Sequence, residues 1–195
     1  REVDKMQGVD IPFWLYSGNC EGSITAEGIN TRTWTSGNYR YTEKKYYSVY
    51  RNGTLDFKAV PVDASSKTDD DAMDSIEPFD YSEMTAFNPG YLSGYLAERY
   101  DEDKDKCLPR AKERIENTTR DELRNTCNYN SVNVQSYEKH TEIKDVKYAM
   151  LPTWLLYTTY QDKPYFFAMN GQTGKFIGNL PISKGKLVAY SLLGG

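Results

Sequence analysis

A stretch rich in tyrosine, lysine and arginine contains the residue types best suited to binding a charged, ring-bearing ligand. Residues 39–51 read YRYTEKKYYSVYR. Aromatic rings can stack on unpaired bases while neighbouring cations neutralise phosphates, which is how proteins hold single-stranded nucleic acid. The candidate contact residues are Tyr39, Arg40, Tyr41, Lys44, Lys45, Tyr47 and Arg51.

The same residues also suit an ordinary β-hairpin. Tyrosine is a preferred strand residue, and cross-strand aromatic pairs stabilise hairpins. The formal net charge of -4 argues against broad neutralisation of duplex DNA. We therefore do not expect a nucleic-acid partner. Single-stranded nucleic-acid binding is kept as an alternative hypothesis, and it requires these tyrosines to face solvent beside the basic groups.

An acidic run offers oxygen ligands of the kind that calcium and magnesium prefer. Its members are Asp69, Asp70, Asp71 and Asp74. The run lacks the alternating ligand spacing and the turn glycine of an EF-hand loop. Acidic residues are also favoured at the N-terminus of a helix by its macrodipole. A cation site and a solvated helix start both remain open.

Few residues suit covalent or acid-base catalysis. His140 is the only histidine and lies among Glu138, Lys139 and Glu142, a setting that indicates exposure. The G-x-S-x-G pattern of a serine nucleophile is absent. We predict that the chain is not an enzyme. A hydrolase with paired carboxylates is the other alternative, because sequence cannot show which of the 28 acidic residues lie next to each other in the fold.

The three cysteines, Cys20, Cys107 and Cys127, form no C-x-x-C pair. Neither a zinc ribbon nor a disulfide framework is therefore present in this sequence. We expect buried or idle thiols, since free cysteine commonly packs as a small apolar side chain.

The segment Gln172-Thr-Gly-Lys175 resembles the end of a phosphate-binding loop. That loop requires Ser or Thr after the lysine, and Phe176 stands there instead. The segment is predicted to be a turn between two strands, 166–169 and 176–177.

Strands are predicted at both ends of the chain. The first block covers residues 11–62, with a hairpin turn at Asn52-Gly53 before the strand 55–57, and it ends at Val60-Pro-Val-Asp63. Strands return at 128–134, and two aromatic runs, 151–160 and 165–169, are separated by a turn at 161–164.

Helices are predicted in the middle third. A short one covers 69–76, and a second covers 89–98 with Tyr91, Leu92, Tyr95 and Leu96 on one face. A longer helix begins near Pro109. Its apolar stripe at a spacing of four consists of Ala111, Ile115, Thr119 and Leu123.

The segments IPFWLY at 11–16 and LPTWLLY at 151–157 nearly repeat each other, and the offset of 140 extends to Asn30 and Asn170. The repeat predicts an equivalent hairpin at each end of the chain, with the two tryptophan strands central in one sheet. Trp14, Trp154 and Tyr157 are expected in the core. The predicted fold class is α+β: a mainly antiparallel sheet from N- and C-terminal hairpins, with the middle-third helices packed on one face.

We predict one domain over residues 1–186. Residues 187–195 turn apolar after Lys184 and Lys186, which is typical either of the start of a membrane-proximal segment or of the end of the chain.

Several segments together resemble the middle soluble domain of an uncharacterised family of bacterial zinc-ribbon proteins, labelled as TFIIB-type zinc ribbons and often mislabelled as PriA-like helicases. The segments that carry the resemblance are IPFWLY, VPVDASSKTDDDAMDSIEPFDYSEM, GYLSGYLAERYD, PRAKERI and KYAMLPTWLLYTTYQDKPYFFAMNGQTGKFIGNLP. Members of that family typically carry an N-terminal zinc ribbon, this domain and a C-terminal membrane segment.

The resemblance implies a membrane-tethered bacterial protein whose domain faces the cytoplasm. It implies a non-catalytic interaction or sensing role with an unknown protein partner, and membrane contact through a segment outside this chain. Zinc would be bound only by the upstream ribbon. The ribbon cysteines are missing here, so no cofactor is expected in this chain.

Overall fold

The computed structural model describes residues 6–66, 68–86, 88, 96–97, 100–160 and 163–178. Long strands dominate them, and a single long helix lies between the strands in sequence. The elements in chain order are β1 (Gln7–Ser36), β2 (Tyr39–Asp63), α1 (Asp70–Ser75), a 3-10 turn (Tyr81–Glu83), β3 (Leu96–Ala97), α2 (Lys104–Asn125), β4 (Ser131–Tyr160), β5 (Lys163–Asn170) and β6 (Phe176–Gly178).

The strands pair in the order β2-β1-β4-β5-β6, and β3 pairs in parallel with β1. The antiparallel β4-β5 pairing runs from Thr153 opposite Asn170 to Tyr160 opposite Lys163. The strands that contain Trp14 and Trp154 are thus neighbours within the order, which confirms that part of the prediction.

The chain divides into two compact units, each built from segments that are distant in sequence. Unit 1 contains the described residues of 1–13, 63–101 and 150–195, and unit 2 contains 14–62 and 102–149. Neither unit is one continuous stretch of chain. That residues 1–186 fold as one domain remains a prediction.

Helix α2 covers the core of unit 2. Its predicted stripe of Ala111, Ile115, Thr119 and Leu123 is buried, which confirms the periodicity. The helix begins at Lys104, earlier than predicted, because the Asp103 carboxylate accepts hydrogen bonds from the amides of Asp105 and Lys106 and caps the first turn. Toward its C-terminus, Leu123 and Cys127 pack with Ile24, Ala26, Val49 and Val132.

A glycine in β1 permits the close approach of α2. A Cβ atom added at Gly22 would lie 2.9 Å from the Thr119 side chain and 3.0 Å from that of Leu123. The strand and the helix therefore pack at a separation that a larger side chain would prevent. Gly53 in β2 is also near Leu123, but there an added Cβ would be at an ordinary 3.5 Å.

Unit 1 has its own core around the last part of β4 and β5. Ile11, Phe13, Leu151 and Phe167 are buried in it. The Phe13 ring lies 6.0 Å from that of Phe79, an aromatic pair that contributes stability beyond its buried area.

The predicted α+β fold class, with middle-third helices packed as a layer on one face, is wrong. The described residues contain two α-helices: α1 has six residues and belongs to unit 1, and α2 belongs to unit 2. Of the helix predicted over 89–98, Leu96 and Ala97 form strand β3, and residues 89–95 and 98 lie outside the described part. At Leu96 and Ala97, pairing with Val9 and Asp10 of β1 outweighs the helical spacing of the sequence.

The predicted turn at Asn52-Gly53 is also wrong. Both residues lie inside β2, and the chain reverses at Gly37 and Asn38 instead, where Gly37 has a φ of +60°. A two-residue turn with glycine first suits the twist of the strands. Continuing β2 through Gly53 keeps Val49 and Val62 in the buried clusters of unit 2.

The predicted equivalence of the two chain ends is also wrong. Residues 11–30 lie within one uninterrupted strand, whereas the matching residues 151–170 form the end of β4 and β5. Trp14 and Trp154, expected in the core, are only half-buried, and the side chain of Tyr157 lies outside the described part. The Trp14 indole donates a hydrogen bond of 2.9 Å to the Glu102 carbonyl.

The packing at Gly22 gives a stability prediction. Gly22→Ala should lower the free energy of unfolding by about 1–3 kcal/mol, because the added methyl group overpacks the contact with Thr119 and Leu123. Urea denaturation measures the change. Gly53→Ala is the matched control and should have little effect, and equal losses for the two variants would contradict the close approach.

Candidate functional site

The end of the β1-β2 hairpin is exposed along both of its strands. Every residue from 31 to 48 is exposed, and we call this segment the arm. The burial of β2 resumes at Val49, which is 4% exposed and packs with Leu123. The arm therefore begins where the core of unit 2 ends, and helix α2 does not cover its side chains.

The arm presents large aromatic side chains to solvent. Tyr39 is 71% exposed and Tyr46 is 60% exposed. The other exposed aromatic residues of the arm are Trp34, Tyr41 and Tyr47. The requirement that the tyrosines of this segment face solvent, set by the nucleic-acid hypothesis, is met.

Contacts between the two strands hold the arm in register. The Trp34 ring stacks on Tyr41 at a centroid distance of 5.6 Å with 15° between the planes, and the Arg32 guanidinium lies 5.6 Å from the Trp34 centroid. The hydroxyls of Thr33 and Thr42 are 3.5 Å apart. Because strand residues alternate between faces, these pairs lie on opposite faces of the ribbon.

Tyr47 links the base of the arm to the rest of unit 2. Its ring lies 5.1 Å from that of Tyr129, which packs at the edge of the buried cluster containing Val49 and Leu123. The base is thus anchored by an aromatic contact and by Val49. The remainder of the arm depends on its own cross-strand pairs.

The arm is basic within an acidic chain. It carries Arg32, Arg40, Lys44 and Lys45 against a single acid, Glu43, which gives three net positive charges where the whole chain carries -4. The Glu43 carboxylate lies 3.9 Å from the Lys45 ammonium in an exposed ion pair. Such pairs contribute little stability, so the cations are free to meet an anionic ligand.

Of the seven candidate contact residues, the structure places six on the arm. Arg51 lies beyond it, half-buried, and donates a 2.8 Å hydrogen bond to the Tyr50 carbonyl. Arg32 and Trp34 also lie on the arm and were not among the predicted contact residues. The available signal was the alternating run Thr31-Arg-Thr-Trp-Thr35 next to Gly37-Asn38, which is itself a hairpin dipeptide.

A second surface feature of unit 2 is an open groove between α2 and the start of β4. It encloses about 620 Å³ and is lined by Arg120, Asp121, Arg124 and residues 132–137. Arg124 donates to the Val132 carbonyl at 3.3 Å, and Arg120 pairs with Asp121 at 3.1 Å. Asp121 is the one carboxylate in the lining, so the groove does not supply the acid pair that a hydrolase needs.

Tyr137 borders this groove and forms a hydrogen bond with helix α2. Its hydroxyl donates a 2.7 Å hydrogen bond to the Glu116 carbonyl. Burial raises the pKa of this phenol above its ordinary value. The hydroxyl therefore stays protonated, as a structural donor requires.

The acidic run in unit 1 begins a helix. The Asp69 carboxylate accepts a 2.8 Å hydrogen bond from the Ala72 amide and caps α1, and Asp70 and Asp71 lie in its first turn. Within the described ranges, no group of three or more His, Cys, Asp or Glu side chains is arranged to hold a metal ion. The cation hypothesis for Asp69, Asp70, Asp71 and Asp74 finds no support there.

The segment after β5 is a turn, as predicted. The Asn170 side chain is buried and donates 3.0 Å hydrogen bonds to the carbonyls of Ile76 and Pro78, while its oxygen accepts from the amides of Gln172 and Thr173. Lys175 donates to the Glu77 carbonyl at 2.5 Å. The amides and the lysine that a phosphate would need are therefore engaged within unit 1.

Within the described residues, the histidine and the cysteines do not form a nucleophile–base pair. His140 is exposed in β4, as its neighbours in sequence predicted. All three cysteines are buried and free, which confirms the expectation of packed thiols. The Thr141 hydroxyl lies 3.4 Å from the Cys20 sulfur.

Comparison with known proteins identifies a bacterial relative. The chain is 38% identical over 189 residues to the uncharacterized protein YdjG of Bacillus subtilis (strain 168), a match that covers 96% of this chain and 55% of the relative. The chain thus spans about half the length of the curated relative it matches. No family model matches the chain, and no solved structure matches it.

A helix that crosses a membrane needs about 20 consecutive, mostly apolar residues. In the part of the chain that the structure describes, no helix combines the length and the apolar character required to cross a membrane.

The hydrogen bonds of Asn170 give a second stability prediction. Asn170→Ala should lower the free energy of unfolding by about 1–3 kcal/mol, because it removes the buried amide that donates to the carbonyls of Ile76 and Pro78. Thermal and urea unfolding measure the loss. Gln172→Ala, at an exposed position of the same turn, serves as the control, and a loss no larger for Asn170→Ala than for this control would refute the role assigned to Asn170.

Proposed function

We propose that the chain is a non-catalytic binding module that contacts its partner through the arm. The observation that carries this proposal is the exposure of residues 31–48 on both strands, with five large aromatic side chains among them. Exposed apolar clusters of this kind commonly mark interaction sites. Tyrosine, tryptophan and arginine are also the residues that dominate binding energy at interfaces.

Binding is favoured over catalysis by the chemistry of the two surface features of unit 2. The arm contains no nucleophile paired with a base, and its acid Glu43 stands beside Lys45. The groove beside α2 offers Asp121, whose neighbour Arg120 holds it in an ion pair. A hydrolase would need two carboxylates with divergent pKa values around one cavity.

The proposed context is a longer bacterial protein. The relative from Bacillus subtilis is nearly twice as long as its matched part, and the sequence resembles the middle domain of membrane-tethered zinc-ribbon proteins. We therefore propose a membrane-anchored protein whose module faces the cytoplasm, with zinc bound by residues outside this chain. An interaction or sensing role fits such a placement.

Photo-crosslinking in growing bacterial cells tests the role of the arm. The photoreactive residue p-benzoylphenylalanine would replace Tyr39 or Tyr46 in the arm, and Tyr100, which is 50% exposed in unit 1, as the control. We expect discrete adducts from the two arm positions, because only they would touch the partner. Denaturing gel electrophoresis with antibody detection measures the adducts.

A second substitution makes the crosslink specific. Trp34→Ser combined with Tyr41→Ser removes the stacked pair and should abolish the adduct formed from position 46. Adducts that persist in this variant, or that form equally from position 100, would refute the arm as the contact element.

A further inference from the structure

We propose that the arm binds single-stranded nucleic acid, with its cations on the phosphates and its exposed tyrosines stacked on bases. This inference rests on the proposed function, since it names the chemical class of the partner that the arm contacts. It is carried by the juxtaposition of exposed rings and cations on a two-stranded ribbon.

Charge separation within the chain supports a polyanionic partner. The arm holds three net positive charges in 18 residues while the chain as a whole carries -4. The rest of the molecule is therefore strongly acidic and repels a polyanion from other surfaces. Long-range attraction is focused on the arm, which raises the rate of productive encounter.

The arrangement of side chains along β2 places cations next to rings. Residues on one face of a strand recur about every 6.8 Å. Arg40, Lys44 and Tyr46 share one face, and Tyr39, Tyr41 and Lys45 share the other. Each face therefore combines positive charge with an exposed ring, which is the combination used to track a single strand without reading its sequence.

Among the aromatic residues of the arm, the individual rings have different roles. Trp34 is engaged by Tyr41 and by Arg32, so this group stiffens the ribbon. Tyr39 and Tyr46 are the most exposed, and neither ring has a stacking partner in the described residues. These two rings are the positions where bases would stack.

A protein partner and a membrane surface fit the arm less well. Residues 31–48 contain no Leu, Ile, Val, Met or Phe, so the arm lacks most of the apolar side chains that enter the acyl boundary of a bilayer. Lysine is depleted at protein interfaces, yet Lys44 and Lys45 lie in the middle of the arm. Protein–nucleic acid interfaces are more positively charged.

A single strand is favoured over a duplex for two reasons. The acidic remainder of the chain opposes the broad phosphate contacts on which duplex binding depends. Tyrosine rings also need unstacked bases, which a duplex does not offer.

Fluorescence anisotropy with a fluorescein-labelled 20-mer of deoxythymidine tests the inference on the purified full chain. We expect saturable binding that weakens with salt, with a slope of log affinity against log salt of about -2 to -3 for three to four neutralised phosphates. A duplex of the same length should bind more weakly. Titration of the uridine 20-mer shows whether the sugar matters.

Two pairs of arm substitutions separate stacking from charge. Tyr39→Ser with Tyr46→Ser should weaken binding roughly tenfold or more while leaving the salt slope unchanged, because it removes rings and keeps cations. Lys44→Gln with Lys45→Gln should reduce the magnitude of the slope by about 1.4. The matched control, Lys144→Gln with Lys147→Gln, removes two exposed lysines from β4 and should bind like the wild type.

The outcomes distinguish this inference from the proposed function. Circular dichroism and thermal melts establish that each variant is folded. Absence of oligonucleotide binding at low salt, or equal losses in the arm and β4 lysine variants, overturns the inference. Binding to phosphatidylglycerol vesicles without oligonucleotide binding also overturns it. If the oligonucleotide fails but Tyr39 still crosslinks specifically to a protein in cells, the arm remains a binding element and only the partner class is wrong.

Discussion

The packing of α2 onto β1 at Gly22 is the contact on which the rest of unit 2 depends. It fixes how closely the helix approaches the strands, and it gathers Ile24, Ala26 and Val49 beneath Leu123. Beyond Val49 the helix no longer covers the hairpin. An isolated two-stranded ribbon is marginally stable in water, so the arm depends on this anchored base and on cross-strand pairs such as Trp34 with Tyr41.

This arrangement explains why exposed aromatic residues and core residues lie so close together within one strand. Tyr47 contacts Tyr129 at the edge of the core, Val49 is inside it, and Tyr46 points to solvent. A strand whose neighbours change along its length can serve both purposes. The part packed against α2 supplies stability, and the arm exposes both of its faces to solvent. The charges are divided in the same way, since the arm is basic and the remainder of the chain is acidic.

Part of this structure was readable from the sequence because local patterns decided it. The four-residue stripe of α2, the turn after β5 and the adjacency of the two tryptophan strands were predicted correctly. Asn52-Gly53 was misread, since two dipeptides carried hairpin signals and only tertiary packing of Val49 and Val62 selects Gly37-Asn38. For the same reason Arg32 and Trp34 were missed: they join the site only when the turn is placed at Gly37.

The central claim is that the arm is a preformed ribbon whose rings face solvent. Nuclear Overhauser contacts in the free protein test it most directly. We expect cross-strand contacts between the rings of Trp34 and Tyr41, together with contacts between Thr33 and Thr42, and none from Tyr39 or Tyr46 to the side chains around Leu123. A turn at Asn52-Gly53, or contacts from Tyr39 or Tyr46 to that buried cluster, would contradict it.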